Sequence, residues 1–86
     1  VVGDPIFDSI TMHFNHILSQ QYPGTHIHDL RMVPGENVVN LVFDVAVPPE
    51  CKETAPLTEQ LSRAAKALDP RYRCVIHYDL DFYNEQ

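Results

Sequence analysis

The stretch HIHDLRMVPGENVVNLVFDVAV, residues 26–47, decides the fold of this chain. Its second half alternates between two faces, with Val39, Leu41, Phe43, Val45 and Val47 on one side and Val38, Asn40, Val42, Asp44 and Ala46 on the other. A period of two is the signature of a β-strand with two unlike faces. The first half, residues 26–33, is also rich in β-formers, although neither of its faces is purely apolar. Residues 34–37 (PGEN) favour a tight turn, so the stretch predicts an antiparallel β-hairpin.

A helix is predicted on each side of the hairpin. Asp4-Pro5 is a helix-start pair, and the first helix should run to about Gln21 before Pro23-Gly24. Its apolar stripe contains Ile6, Phe7, Ile10, Phe14, Ile17 and Leu18. The second helix is predicted to have Thr54 as its cap and Pro56 in its first turn, and to close at Asp69-Pro70. Its apolar stripe contains Leu57, Leu61, Ala64, Ala65 and Leu68.

A third strand is predicted from about Arg73 to Phe82, again with alternating faces. Cys74, Ile76, Tyr78, Leu80 and Phe82 form one face, and Val75, His77, Asp79 and Asp81 form the other. The order α-β-β-α-β predicts an α+β fold with a three-stranded mixed sheet, because the second helix is long enough for a right-handed crossover to a parallel strand. Each helix has one apolar stripe, so both should cover the same sheet face. The other face is then left open.

Length, composition and charge bound the possible functions. Residues 1–86 are enough for a single domain, and 44% hydrophobic content indicates a folded chain. A formal net charge of −6 argues against nucleic acid or an anionic membrane as partner and suits a cation or simply a soluble surface. No apolar run approaches the roughly 20 residues of a membrane span, and no signal peptide is visible.

The two cysteines do not indicate a metal scaffold. Cys51 falls in a predicted loop and Cys74 opens an apolar run, and they have no CxxC spacing, which excludes a zinc ribbon. A reducing compartment fits both thiols, with one disulfide left open as an alternative. Neither has an obvious activating base, and there is no phosphate loop, GxSxG or HExxH motif. The sequence therefore does not predict an enzyme.

A candidate metal site lies on the open sheet face. His77 and Asp79 are two residues apart on a strand and project to the same side, and Asp44 has the matching parity on the second strand. An imidazole and two carboxylates within reach of one another suit Zn²⁺ or a similar divalent ion. His28 on the first strand could add an imidazole, with His26 two residues before it. The alternative is that these are ordinary polar residues on a solvated face.

Two further histidines lie on the first helix. His13 and His16 are at i and i+3, a spacing at which both could chelate one ion. They could equally be residues of the solvated helix flank.

Several of these motifs resemble those of a known family. The run His28-Asp29-Leu30-Arg31, then Gly35, then the strand with Asp44, and finally residues 75–79 (VIHYD) resemble the C-terminal cytoplasmic domain of cation diffusion facilitator transporters. The YPG at residues 22–24 is similar to that family's helix-to-strand turn. The resemblance covers nearly the whole chain. It implies a metallochaperone-like derivative of the ferredoxin-like fold.

The resemblance also implies a function and a set of site residues. It implies a V-shaped homodimer with a regulatory metal site near the dimer interface, on the cytoplasmic face of the membrane and attached to the transmembrane domain of the same transporter. Carried over by position, the ligands are His28, Asp44, His77 and Asp79. Asp44 stands where zinc-transporting relatives can have His, which hardens the site and so could favour Mn²⁺ or Fe²⁺ or weaken zinc binding, with Zn²⁺ still the first candidate. A further His of some relatives falls near Leu57.

Two alternative functions remain open at this level. One is a plain dimerisation module that binds no metal. The other is a metallochaperone-like carrier. The lack of a paired-cysteine loop argues against a carrier of copper. For any dimer, the expected partner surface is the open sheet face and the chain ends, including Tyr83.

Overall fold

The computed structural model describes residues 5–79, which form two helices and a three-stranded sheet. In chain order the elements are α1 (Pro5–Gln21), β1 (Ile27–Pro34), β2 (Val39–Ala46), α2 (Ala55–Leu68) and β3 (Tyr72–Asp79). The sheet order is β1-β2-β3, with β1 antiparallel and β3 parallel to the central β2. The predicted α+β fold with a mixed sheet is confirmed. Some predicted features lie outside the described residues. These are the helix cap at Asp4, the strand positions of Leu80, Asp81 and Phe82, and the partner-surface residue Tyr83.

The predicted hairpin is present, and its turn depends on two residues in different ways. Gly35 donates its backbone N–H to the carbonyl of Val38 at 2.9 Å. A Cβ atom on Gly35 would lie 2.9 Å from the Val38 Cγ2 atom, so a larger residue would force the Val38 side chain to shift, and glycine serves here for space rather than for a positive φ. Asn37 supplies the left-handed conformation with a φ of 66°.

The hairpin ladder contains a β-bulge near its open end. Its register shifts between His28 and Arg31, and Asp29 in this gap has a φ of 58°. One extra residue in β1 reverses the parity that faces the helices. Ile27 is therefore buried before the bulge, whereas Met32 packs against the core after it. This reversal is the reason that neither face of the first strand is purely apolar in the sequence.

The core lies between one face of the sheet and the two helices. Phe14 of α1 and Phe43 of β2 are both fully buried, and their ring centroids are 5.5 Å apart. The buried residues around them are Ile10, Leu18, Ile27, Leu41, Val45, Val47, Cys51, Leu57, Leu61 and Ala65. Because both helices contribute to one cluster, both cover the same sheet face, as predicted.

The helix ends differ from the prediction in two respects. Ile6 and Leu68, both assigned to apolar stripes, are 57% and 51% exposed, and they line one groove at the ends of their helices together with Tyr72. The Thr54 side chain makes no capping hydrogen bond. A side-chain cap requires an extended backbone at the capping residue. The backbone of Thr54 is instead helical (φ −96°, ψ −12°). Among residues 5–79, neither helix has the length and apolar character to cross a lipid bilayer.

The turn between α2 and β3 is organised by Asp69. Its carboxylate accepts hydrogen bonds from the backbone N–H of Arg71 at 2.9 Å and from the Arg71 guanidinium, with the Nη2–Oδ2 distance at 2.8 Å. The guanidinium is the main cause that lowers the pKa of Asp69 from its ordinary value of 3.8 to about 2. The pair thus orients the chain as it leaves the helix and enters the edge strand.

Replacing Arg71 with Ala is expected to raise the pKa of Asp69 toward 3.8, because the side-chain hydrogen bond that lowers it most is removed while the backbone N–H of residue 71 still donates to the carboxylate. Because the pKa of Asp69 is lower in the folded state than in the unfolded state, its carboxylate stabilises the fold at any pH above the unfolded pKa. This contribution is lost as the pH falls from about 4 to about 2. NMR titration of the Asp69 carboxyl carbon measures this. The control is Arg63→Ala, which breaks the exposed pair with Glu59 and leaves the turn intact. An Asp69 titration that is identical in the Arg71→Ala and Arg63→Ala variants would contradict the assignment.

Candidate functional site

The register of the sheet brings the predicted site residues into one region of the open face. His28 of β1 pairs with Asp44 of β2, and Asp44 pairs on its other side with His77 of β3. Directly paired residues project to the same side of a sheet, so these three side chains form a row across all three strands. Asp79 is two residues beyond His77 and pairs with Ala46, which places it in the next row of the same face.

Within this row, one imidazole and one carboxylate lie close enough to interact electrostatically. The His77 Nδ1 atom lies 3.7 Å from Oδ1 of Asp44, with side-chain exposures of 78% and 42%. Even with the imidazole charged, a pair this exposed contributes little to stability, between roughly 0 and 1 kcal/mol. The pair is therefore poorly explained as a device for holding the sheet together. It leaves both groups accessible to a ligand from solvent.

The four predicted residues line a single cavity of about 260 Å³. Its lining consists of His28, Asp29, Asp44, Ala46, His77 and Asp79. The donor set is two imidazoles and three carboxylates, which suits a divalent cation of borderline or hard character. Within residues 5–79, however, no set of three or more His, Cys, Asp or Glu side chains is placed so that it could hold one metal ion. The cavity gathers suitable donors without directing them to a common point.

The remaining histidines do not join this cavity. His26 precedes β1, and its ring centroid is 6.5 Å from that of His28, but it lines a different groove, beside Met12 and His16 of α1. His13 is exposed on the helix next to Phe14. The suggested addition of His26 to the sheet-face donors therefore has no support in the geometry.

Leu57 lies where the sequence predicts it, whereas Asp29 does not. Leu57 is 2% exposed in the core, on the covered side of the sheet, so this position of α2 contributes nothing to the open face. Asp29 lines the cavity although the sequence reasoning did not select it. Regular alternation after the exposed His28 would have pointed it toward the helices. The signal that could have identified it is the parity break within residues 27–32, which indicates a bulge.

The two cysteines are free thiols and lie away from the cavity. Cys51 is buried, and its Sγ–H donates to the carbonyl of Glu53 at 3.3 Å. Cys74 is half-buried, and desolvation raises the pKa of its thiol to about 11. A thiol that stays protonated at neutral pH is a poor nucleophile. Cys74 is therefore a packing residue rather than a reactive one.

Comparison with known proteins finds the fold in a transport protein. A solved structure, the zinc form of CzrB, which is described as a candidate zinc transporter, matches with a TM-score of 0.58. The match covers 91% of this chain and 92% of that chain, with 20% sequence identity. At this identity the likeness establishes a shared fold. No family model and no curated protein sequence matches the chain.

Proposed function

We propose that this chain is a regulatory and dimerisation domain of a divalent-cation efflux transporter. The observation that carries the proposal is the cavity on the open sheet face, where three strands bring together His28, Asp44, His77 and Asp79. The shared fold with a candidate zinc transporter and the motif resemblance support the same function. In this proposal the domain lies on the cytoplasmic side of the membrane, is attached to a transmembrane domain, and catalyses no reaction.

The four residues would hold the cation through imidazole nitrogens and carboxylate oxygens. Zn²⁺ is the first candidate, since it accepts both ligand types, and the oxygen-rich composition extends the candidates to Mn²⁺ and Fe²⁺. The exposed side chains, such as His77 at 78%, can reorient at little energetic cost when a cation arrives. The cation would also neutralise carboxylates that repel each other in its absence.

The second partner in the proposal is another copy of the chain on the open face. Exposed valines occupy this face beside the cavity, with Val33 and Val75 each 47% exposed. Arg31 and Arg73 lie in the same two rows of the face as these valines, and Asp44 and Asp79 lie in the two rows that follow. A two-fold axis that runs these faces antiparallel would set the arginines of one copy against the carboxylates of the other. A cation near such an interface would stabilise one separation of the two domains and so shift the conformations of the attached membrane domain.

A plain dimerisation module that binds no metal is the second candidate. The observation that favours it is the lack, within residues 5–79, of donors already converging on a single point. In this alternative the open face serves only as a contact surface.

Calorimetric titration with Zn²⁺, combined with light scattering, tests the proposal. We expect saturable binding of Zn²⁺ and a dimer mass at micromolar concentration. The control is Mg²⁺. An acidic surface with a net charge of −6 would attract both ions, but Mg²⁺ prefers oxygen ligands and binds poorly to imidazole. Equal responses to the two ions would contradict a built site and favour the plain module. A monomer at high micromolar concentration, with and without Zn²⁺, would contradict the dimer.

A further inference from the structure

The backbone at Asp29 places a carboxylate beside the candidate cation site. From His28 to Arg31 the first strand advances three residues, whereas its partner advances two, from Asp44 to Val42. The extra residue is accommodated by Asp29, whose φ of 58° is in the left-handed region. Glycine is the usual residue at such a position, because a Cβ atom is disfavoured there, and aspartate is tolerated. The chain therefore has a charged side chain where a bulge alone would be best served by glycine.

The bulge also determines which environment this carboxylate meets. An unbroken strand would turn residue 29 toward the core, where an unpaired carboxylate is strongly disfavoured. In the structure Asp29 is exposed and lines the same cavity as His28, Asp44, His77 and Asp79. The residues that line this cavity include no lysine or arginine, and Arg31 lies in the next row of the same face, where it pairs with Val42.

We propose that Asp29 is a further cation-binding residue of this site and shifts its preference toward oxygen-seeking ions such as Mn²⁺. This inference rests on the proposed function. A third carboxylate makes oxygen the majority donor in a set that otherwise balances two imidazoles against two carboxylates. It also increases the negative charge that a divalent cation neutralises on binding. Asp29 therefore tunes which cation is held, while the row across the three strands forms the base of the site.

Titrations with Mn²⁺ and with Zn²⁺ on two variants test this role. Asp29→Gly removes the carboxylate and suits the left-handed backbone, so the fold is retained. Asp29→Asn removes only the charge, because asparagine also tolerates this conformation. We expect each variant to bind Mn²⁺ roughly tenfold or more weakly than the unaltered chain. The loss for Zn²⁺ should be clearly smaller, since imidazole nitrogens dominate zinc binding.

The matched control is Asn37→Gly in the hairpin turn. Asn37 has a φ of 66°, so the substitution relieves the same kind of backbone conformation, but it lies away from the cavity. It should leave both affinities unchanged. Asp29 variants that bind Mn²⁺ as tightly as the unaltered chain, while Asp44→Asn loses binding, would overturn the role of Asp29 alone. An unaltered chain that binds neither ion would overturn this role together with the proposed function.

Discussion

Truncation of Phe14 to alanine is expected to destabilise the domain by about 3–5 kcal/mol. Phe14 is fully buried, and its ring lies 5.5 Å from that of Phe43, so it joins α1 to the central strand. The loss is a large part of the roughly 5–15 kcal/mol that stabilises a domain of this size. The melting temperature should therefore fall by more than about 10 °C. Urea unfolding followed by circular dichroism measures the difference in free energy.

The helix offers a matched control on its opposite side. Met12 is 72% exposed, so Met12→Ala should change stability by less than about 0.5 kcal/mol. A double-mutant cycle with Phe43→Leu tests the contact itself, since a tilted aromatic pair adds about 0.5–1.5 kcal/mol beyond area burial. If Phe14→Ala and Met12→Ala proved equally mild, the packing of α1 on the sheet described above would be wrong.

The fold could be predicted from the sequence because its patterns are local and consistent. Every second residue of β2 from Leu41 to Val45 is buried, as the alternation of polar and apolar residues requires. The α1 end at Gln21 was predictable because Pro23-Gly24 follows, and Gly24 has a φ of 91° in the turn. The exposure of Leu68 could not be predicted in this way. Helical spacing assigns a residue to a face, but it does not say how far the partner sheet extends along the helix.

The candidate site was only half predictable for a related reason. Parity assigns Asp44, His77 and Asp79 to one face but says nothing about which residues stand side by side. That depends on the register between strands, which the turn and the bulge fix and which places His28, Asp44 and His77 in one row. Asp29 was missed because a single inserted residue reverses parity, and period-two reasoning assumes that no such insertion occurs.

If Zn²⁺ binds at the proposed site, replacing Asp44 with Asn is expected to abolish most of the stabilisation that the ion gives to the domain. Asp44 stands on the central strand between His28 and His77, so it can share a cation with either. Removing this charge should weaken Zn²⁺ binding roughly a hundredfold, because even the loss of a residue that only hydrogen-bonds a metal ligand lowers affinity by about 10- to 100-fold. The fold itself should change little without metal, because the exposed pair with His77 contributes no more than about 1 kcal/mol.

The size of the effect follows from mass action. With free Zn²⁺ at 100 times the parent Kd, binding stabilises the parent by about 2.7 kcal/mol, and a hundredfold weaker variant gains only about 0.4 kcal/mol. For a chain of this length these values correspond to increases in melting temperature of roughly 10–20 °C and about 2–3 °C. Glu36→Gln is the control, because it neutralises an exposed carboxylate in the hairpin turn and should keep the full response of the parent. Melting curves with Zn²⁺ and with chelator measure all three. Equal increases in the parent and the Asp44→Asn variant would place zinc binding elsewhere on the molecule, even with the fold correct.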